Sequence, residues 1–584
     1  MKNIRIALAQ IDTTVGDLEN NAALIIGNIQ RARGLNVDII AFPELALSGY
    51  PPEDILFKRS FLADCSAFLE RIAPATEGIT ALVGYPHFTG SRLYNACAIF
   101  HNKRPVNIYH KMHLPNYGVF DEKRYFDSGD QIYVLELGSI HVGVSICEDI
   151  WASETPLYIQ GIAGDSPLCI NISASPFHIG KEKLRIELLR QRAREIKGFI
   201  AYVNLVGGQD ELIFDGTSLI IDPKGQVLAM ARQFEEELLV CDVDLEVISA
   251  IRRADPAFLN QQKALEDEAA RITFVPLEFD ERRLASEKPG ISSDSLKREL
   301  LEEPEMVYKG LVMGAADYVK KNRFSTAVVG LSGGIDSALT AVIACDALGC
   351  ENVVGVNMPS RYSSGETQED TKTLARNLGM RLLTLPIDEI LTAYQTVLSE
   401  KIKDIRGSLT EENLQARIRG NILMALSNRF GWLVLSTGNK SEVSVGYCTL
   451  YGDMAGGFAV IKDLPKQLVY RLARWRNHRD EVQVIPESVL LRPPTAELRP
   501  NQKDSDTLPP YEVLDPILEA YVEDDMSYTD IVQRGFDQTV VKQVIQMVDH
   551  NEYKRRQAPT GIKITPRAFG RDRRMPITNQ YKQF

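Results

Sequence analysis

Short apolar runs alternate with amphipathic stretches along the whole chain, and their spacing sets the fold class before any single residue is weighed. In the first half, residues 4–9, 39–42, 81–83, 141–146, 168–172 and 199–203 are apolar runs of strand length, separated by stretches of helical pattern. This predicts a layered α/β domain. The alternation restarts near residue 305, with a helix over 305–321 and strands over 326–330, 352–359 and 381–386. Helical stretches between those strands predict a doubly wound parallel sheet, with ligands at the carboxyl ends of the strands. Residues 273–304 turn to charged and small side chains and read as a linker, so the expected domains are 1–272 and 305–584.

Composition narrows the class. At 584 residues the chain exceeds what one core supports, and length suggests two to four domains. No apolar run reaches membrane-spanning length, and the first ten residues alternate like a strand without a cleavable leader, so a cytoplasmic protein is expected. Eight cysteines without a CxxC pair argue against a zinc site or disulfide framework. A net charge of −12 disfavours nucleic acid as a partner. The tail 553–584 carries nine Lys/Arg against one acid; RNA would suit it, and so would nucleotide phosphates.

The stretch Leu331-Ser332-Gly333-Gly334-Ile335-Asp336-Ser337 joins an apolar strand to a helix start. Two glycines admit an anion close to the backbone, the helix N-terminus offers unpaired N–H groups, and Ser332 and Ser337 add hydroxyls. Asp336 beside phosphate implies Mg²⁺ between them. No Lys follows the glycines, which excludes a Walker P-loop. The loop resembles the S-G-G-x-D-S signature of the ATP pyrophosphatase family, and the resemblance implies transfer of AMP from ATP to a substrate oxygen.

Three strand ends in the first half carry reactive side chains: Glu44 after 39–42, Lys111 ahead of an aromatic loop containing Tyr117 and Glu122, and Cys147-Glu148 after 141–146. A thiol attacks an amide only as thiolate, and the leaving amine needs a proton, so a carboxylate and an ammonium are its natural companions. Together these segments resemble the nitrilase, or carbon–nitrogen hydrolase, superfamily. The resemblance implies an α-β-β-α sandwich, Cys147 as nucleophile, Glu44 as proton carrier, Lys111 at the oxyanion, and Glu122 holding Lys111 or the attacking water. Residues 171–181 look like its substrate loop. For a glutamine substrate, Lys181 would meet the α-carboxylate and Glu148 the α-amine, with Ser175 and Tyr117 orienting the rest. His113 and His178 are read as structural.

In the second half, Asn413, Arg417 and Asn421 recur at helical spacing, and a strand ends in Thr437-Gly-Asn439 with Glu442 beyond it. With Asp463-Leu-Pro-Lys466, Thr495 and Lys554 they resemble NAD synthetase within the pyrophosphatase family. The resemblance implies ATP contacts from Leu331 to Ser337 and from Thr437, Lys466 and Thr495; Mg²⁺ at Asp336 and Glu442; and deamido-NAD at Asn413, Arg417, Glu442 and Lys554. Phe458-Ala459 stand where single-domain relatives carry an Asp, and segment 504–510 reads as a mobile loop.

The combined expectation is a homo-oligomeric ligase that draws ammonia from L-glutamine, with ATP and deamido-NAD as the other small-molecule substrates. Two alternatives stand beside it: an adenylating amidotransferase acting on a purine nucleotide or a tRNA base, and a non-catalytic first half that organises an oligomer.

Overall fold

The computed structural model describes residues 3–152, 156–280, 288, 290, 298–480 and 482–584. The chain divides into two compact units, Met1–Gln209 with Ile213–Leu301, and Asp210–Leu212 with Glu302–Phe584.

The first unit is built on two sheets. One has six strands in the order Glu237–Asp244, Asn3–Gln10, Ile39–Ala41, Thr80–Phe88, Leu93–His101, Arg104–His110. The other has seven, in the order Val227–Met230, Leu219–Ile221, Phe199–Asn204, Leu168–Ser173, Ile140–Ile146, Ile132–Leu137, Ile272–Leu277. Strand alternation decides what faces inward: Ile4, Ile6 and Leu8 from the first sheet share one core with Val144, Ile170 and Ala201 from the second. Outside the second sheet, the helix Lys181–Ile196 buries Ile186, Leu189, Ala193 and Ile196 against Ile200 and Tyr202. Helices Leu18–Gly34 and Arg59–Ile72 pack together, the latter also against strand Thr80–Phe88 of the first sheet. Both sheets have parallel strands at their centres, and the neighbours of Ile140–Ile146 in register set Ile146 opposite Ile172 and Ile172 opposite Val203. Glu44, Cys147 and Ser175 all follow the carboxyl ends of such strands.

The linker expected from residue 273 begins later. Residues 272–277 form a seventh strand, parallel to Ile132–Leu137, with Ile272 and Leu277 buried. Pro276 is tolerated because the strand lies at the sheet edge, where a missing N–H costs no ladder bond. Further on, Arg298 pairs with Glu237 and Leu301 N donates to Gln233 Oε1, which holds 298–301 to the same unit. Most of the remaining expected linker, residues 281–287, 289 and 291–297, lies outside the described residues. The helix expected over 305–321 runs Glu303–Lys321.

The second unit contains one five-stranded sheet in the order Arg381–Thr384, Val353–Asn357, Ala327–Leu331, Leu433–Ser436, Phe458–Ala459, with every pair parallel. The helix Ile335–Leu348 is buried almost all round, as its uniformly apolar sequence requires, and packs against helices Glu303–Lys321 and Lys466–Arg479. Strand order reverses between Ala327–Leu331 and Leu433–Ser436, so the crevice at their carboxyl ends is the topological switch point.

Candidate active sites

In the first unit, Glu44 sits three residues beyond strand Ile39–Ala41, where Leu45 turns the chain with φ +50°. Gly84 lies beneath: a Cβ there would stand 2.4 Å from both Leu45 N and Pro43 O, so only glycine lets the Glu44 turn settle on strand Thr80–Phe88. Lys111 follows strand Arg104–His110 and is fully buried. Its ammonium donates to Glu44 Oε1 at 2.7 Å and to both Glu122 oxygens at 2.9 and 2.8 Å. Asn95 Nδ2 donates to the same Glu44 oxygen at 2.6 Å, Ala174 N donates to Glu44 Oε2 at 3.0 Å, and Tyr50 OH donates to Glu122 Oε1 at 3.1 Å.

Two carboxylates against one ammonium leave an excess negative charge out of water, which is costly. Burial pushes the Glu122 carboxyl up to about 7, Lys111 pulling it down and Glu44 adding to the rise. The same burial works against a charged Lys111, but Glu122 and Glu44 outweigh it and hold the ammonium well above its usual value.

Cys147 follows strand Ile140–Ile146 and opens a short 3₁₀ turn, Cys147–Ile150, with φ +41°. A left-handed conformation at a non-glycine residue costs about 1–3 kcal/mol and persists only where its surroundings hold it. Burial raises the thiol pKa well above the usual value; Glu44 adds to this and Lys111 opposes it. At rest Cys147 is therefore a thiol, within electrostatic reach of the Glu44 carboxylate.

Of the residues expected around a glutamine substrate, Tyr117, Glu148 and Lys181 stand within electrostatic reach of Cys147. Tyr117 OH donates to the Glu148 carboxylate at 3.1 Å. Lys181 Nζ stands 4.0 Å over the Trp151 ring, and burial lowers its pKa. Ser175 is buried, its N–H donating to Asn204 Oδ1 at 2.8 Å. His113 donates its backbone N–H to Asp149 and His178 Nδ1 lies 3.0 Å from Ile179 O. Asn95 and Tyr50 were missed from the sequence. The available signal for Asn95 was a lone amide within the apolar run 93–100, since a buried polar group needs partners.

In the second unit, a cavity of about 470 Å³ at the switch point is lined by Leu331, Ser332, Gly333, Gly334, Ile335, Asp336 and Ser337. It is also lined by Asn413, Thr437, Glu442, Lys466, Thr495 and Lys554. Gly333 has φ +81°, and a Cβ would stand 2.4 Å from Thr367 O. Ser337 Oγ donates to Gly334 O at 3.0 Å, and Arg492 donates to Gly333 O at 3.1 Å while pairing with Asp370. The loop is thus braced from both sides.

Asp336 accepts from Asn439 Nδ2 at 2.9 Å and from Lys466 Nζ, and Lys466 reaches Glu442 Oε1 at 3.0 Å. Again two carboxylates share one buried ammonium. Burial pushes Glu442 up to about 7, with Lys466 opposing and Asp336 adding. Burial opposes the Lys466 charge, but Asp336 and Glu442 raise it. Asp504 stands near these groups; burial raises its carboxyl, and Tyr511 OH donates to it at 2.9 Å. Segment 504–510, expected to be mobile, is anchored: Asp504 N donates to Pro494 O and Leu508 lies in an apolar cluster of the second unit.

Arg417 is set apart from this cavity. Its Nε donates to Leu450 O at 3.2 Å, and it lines a neighbouring cavity with Asn421, Tyr451 and Gln557; Gly420 and Ala455 line both. Helical spacing put Asn413 and Arg417 on one face, but a ridge of small residues divides what that face meets. Arg419, unnoticed in the sequence, lines the larger cavity instead, its pKa lowered by burial to about 10. Lys554 donates to Gly446 O at 2.7 Å and Cys448 O at 2.9 Å. In the tail, Lys563 pairs with Asp572, Arg567 with Asp525 and Arg571 with Glu211.

Comparison with known proteins follows the same division. The carbon-nitrogen hydrolase family matches residues 5–253, and the NAD synthase family matches residues 307–558. A glutamine-dependent NAD(+) synthetase of Thermotoga maritima is 46% identical over the whole of both chains. One of Aquifex aeolicus is 45% identical over 99% of this chain and all of the relative. Among solved structures, the glutamine-dependent NAD+ synthetase of Acinetobacter baumannii in complex with ADP has a TM-score of 0.74 at 39% identity, covering all of both chains.

Proposed function

The chain belongs to the family of glutamine-dependent NAD(+) synthetases, and on that premise we propose a division of its chemistry between the two sites. The protein amidates deamido-NAD to NAD⁺ with nitrogen from glutamine and energy from ATP. The observation that carries the assignment of residues is the buried Glu44–Lys111–Glu122 cluster facing a left-handed Cys147.

Glu44 takes the Cys147 proton as the thiolate attacks the glutamine side-chain amide carbon, and Lys111 faces the oxyanion. The proton passes from Glu44 to the leaving nitrogen, which departs as ammonia. Water, deprotonated by Glu44, then cleaves the thioester to glutamate, restoring the thiol. Lys181 has an ammonium resting on an indole, a contact readily exchanged for the α-carboxylate of glutamine, and Glu148, which accepts from Tyr117, would meet the α-amine.

In the second site, the nicotinate carboxylate oxygen attacks the α-phosphorus of ATP, releasing pyrophosphate. Ammonia then adds to the acyl adenylate and expels AMP. The Ser332–Ser337 loop with Thr437 and Thr495 cradles the nucleotide. Asn413, Glu442 and Lys554 line the same cavity and Arg417 a neighbouring one, and together they would receive deamido-NAD. Asp336 and Glu442 offer hard oxygen donors already gathered around one cation, the Lys466 ammonium, so they fit Mg²⁺. Bound there, Mg²⁺ would neutralise developing phosphate charge. Lys466 lines the same cavity as the loop and would pair with the phosphates. A homo-oligomer in the cytoplasm is the accompanying reading; no described helix is long and apolar enough to cross a membrane.

Cys147→Ala protein should lose glutamine-supported NAD⁺ formation and keep synthesis from ammonium salts. Glutamine support surviving in that variant, or ammonium support lost from it, would reverse the assignment.

A further inference from the structure

Asp149 lies two residues beyond Cys147 and takes no part in the chemistry above. Its side chain is fully buried. Oδ2 accepts from Ile146 N at 3.1 Å and from Tyr109 OH at 2.8 Å, and Oδ1 accepts from Met112 N at 3.1 Å and His113 N at 2.8 Å. Ile146 ends the strand that delivers Cys147, whereas Tyr109, Met112 and His113 bracket Lys111. The two strands concerned, Ile140–Ile146 and Arg104–His110, belong to different sheets.

One carboxylate therefore ties the nucleophile's turn to the segment that presents the ammonium. Two carboxylate oxygens offer about four lone-pair sites, and four donors occupy them. Only the ionised acid accepts from all four; a protonated acid would set hydrogen against hydrogen at one of them, and an amide nitrogen, which accepts nothing, would face two. The bond from Ile146 N also closes the turn around Cys147, whose positive φ needs such restraint.

We propose that Asp149 is a positioning residue for glutamine cleavage, holding Cys147 in its left-handed turn and setting its distance from Lys111. The inference rests on Cys147 as the nucleophile. It concerns the pairing of the two groups, so its signature is in kcat and thiol reactivity rather than in substrate affinity.

The test compares Asp149→Asn, which keeps the shape, with Tyr109→Phe, which removes one donor. Readouts are steady-state glutamine hydrolysis, alkylation of Cys147 by iodoacetamide across pH with Cys147→Ala as blank, and ammonium-supported synthesis as a gauge of folding. Misplacement of about 1 Å costs roughly 100-fold, so Asp149→Asn should lower kcat by about that factor with KM little changed. Loss of one hydrogen bond to a charged group predicts a fall of about 10-fold for Tyr109→Phe. In both, alkylation slows and its pH midpoint moves up, because Lys111 no longer stabilises the thiolate as well. Unchanged alkylation in Asp149→Asn, a rise in KM alone, or an equal fall in ammonium-supported synthesis would overturn the proposal. Should Cys147→Ala still use glutamine, the underlying assignment fails instead; an inert Cys147→Ala beside a normal Asp149→Asn defeats the inference alone.

Discussion

Each site gathers two carboxylates and one lysine away from water, and the surplus charge decides which carboxyl yields. In the first site it is Glu122, raised by burial to about 7. A carboxyl lifted above its ordinary 4.5 contributes stability that is complete below pH 4.5 and is lost as pH rises to 7. Glu122→Gln lacks that loss and leaves Lys111 paired with Glu44 alone. The difference in melting temperature, variant minus wild type, should therefore grow between pH 4.5 and 7 while glutamine hydrolysis falls; thermal scans at a series of pH values check it. Glu44, Lys111, Glu122 and Cys147 were legible as residues because each stands at a strand end or in the loop after one. Their charge states were not, since burial and distance exist only after folding. Asn95 was legible only as a lone amide in an apolar strand; its role comes from the carboxylates folded against it.

At the scale of elements, the phosphate loop depends on backbone that no other residue type supplies. Gly333→Ala would place a methyl 2.4 Å from Thr367 O at φ +81°, a strain of about 1–3 kcal/mol concentrated on the loop. Synthesis from either nitrogen source should fall sharply while glutamine hydrolysis persists, which parallel assays would show. Gly84→Ala makes the converse case: its Cβ would meet Leu45 N and Pro43 O at 2.4 Å, displacing Glu44. Glutamine hydrolysis should drop while ammonium-supported synthesis survives. The two glycines differed in legibility. Gly333 sits in a recognisable motif, whereas Gly84 lies mid-strand and its reason is a neighbouring turn far along the chain. The edge strand Ile272–Leu277 was hidden by its single Pro and by charged sequence following it; pairing with Ile132–Leu137 redeems a segment whose own propensity is weak.

For the whole molecule, the two chemistries should separate cleanly under substitution and chelation. Lys466→Ala should abolish NAD⁺ formation from glutamine and from ammonium alike while leaving glutamate release. A nucleotide at a hundredfold its Kd stabilises a single-site protein by about 2.7 kcal/mol, and that gain should shrink in the variant. Removing divalent metal with a chelator should give the same division: synthesis lost, glutamine hydrolysis kept. Amide-labelled glutamine supplied with deamido-NAD and ATP should return label in the dinucleotide, measured by mass spectrometry.

The order of residues by itself determined the alternation of strand and helix, the two-part organisation, the Ser-Gly-Gly loop and the identity of the side chains at the strand ends. These are consequences of period, turn chemistry and spacing, which are local. Only the tertiary structure decided that Asn95 braces Glu44, that Arg419 rather than Arg417 lines the cavity with Asn413, that segment 504–510 is anchored, and that Asp149 hydrogen-bonds both the strand end before Cys147 and the segment bearing Lys111. Those outcomes depend on which distant groups meet without water between them, and Coulomb and hydrogen-bond energies vary with that distance and not with separation along the chain.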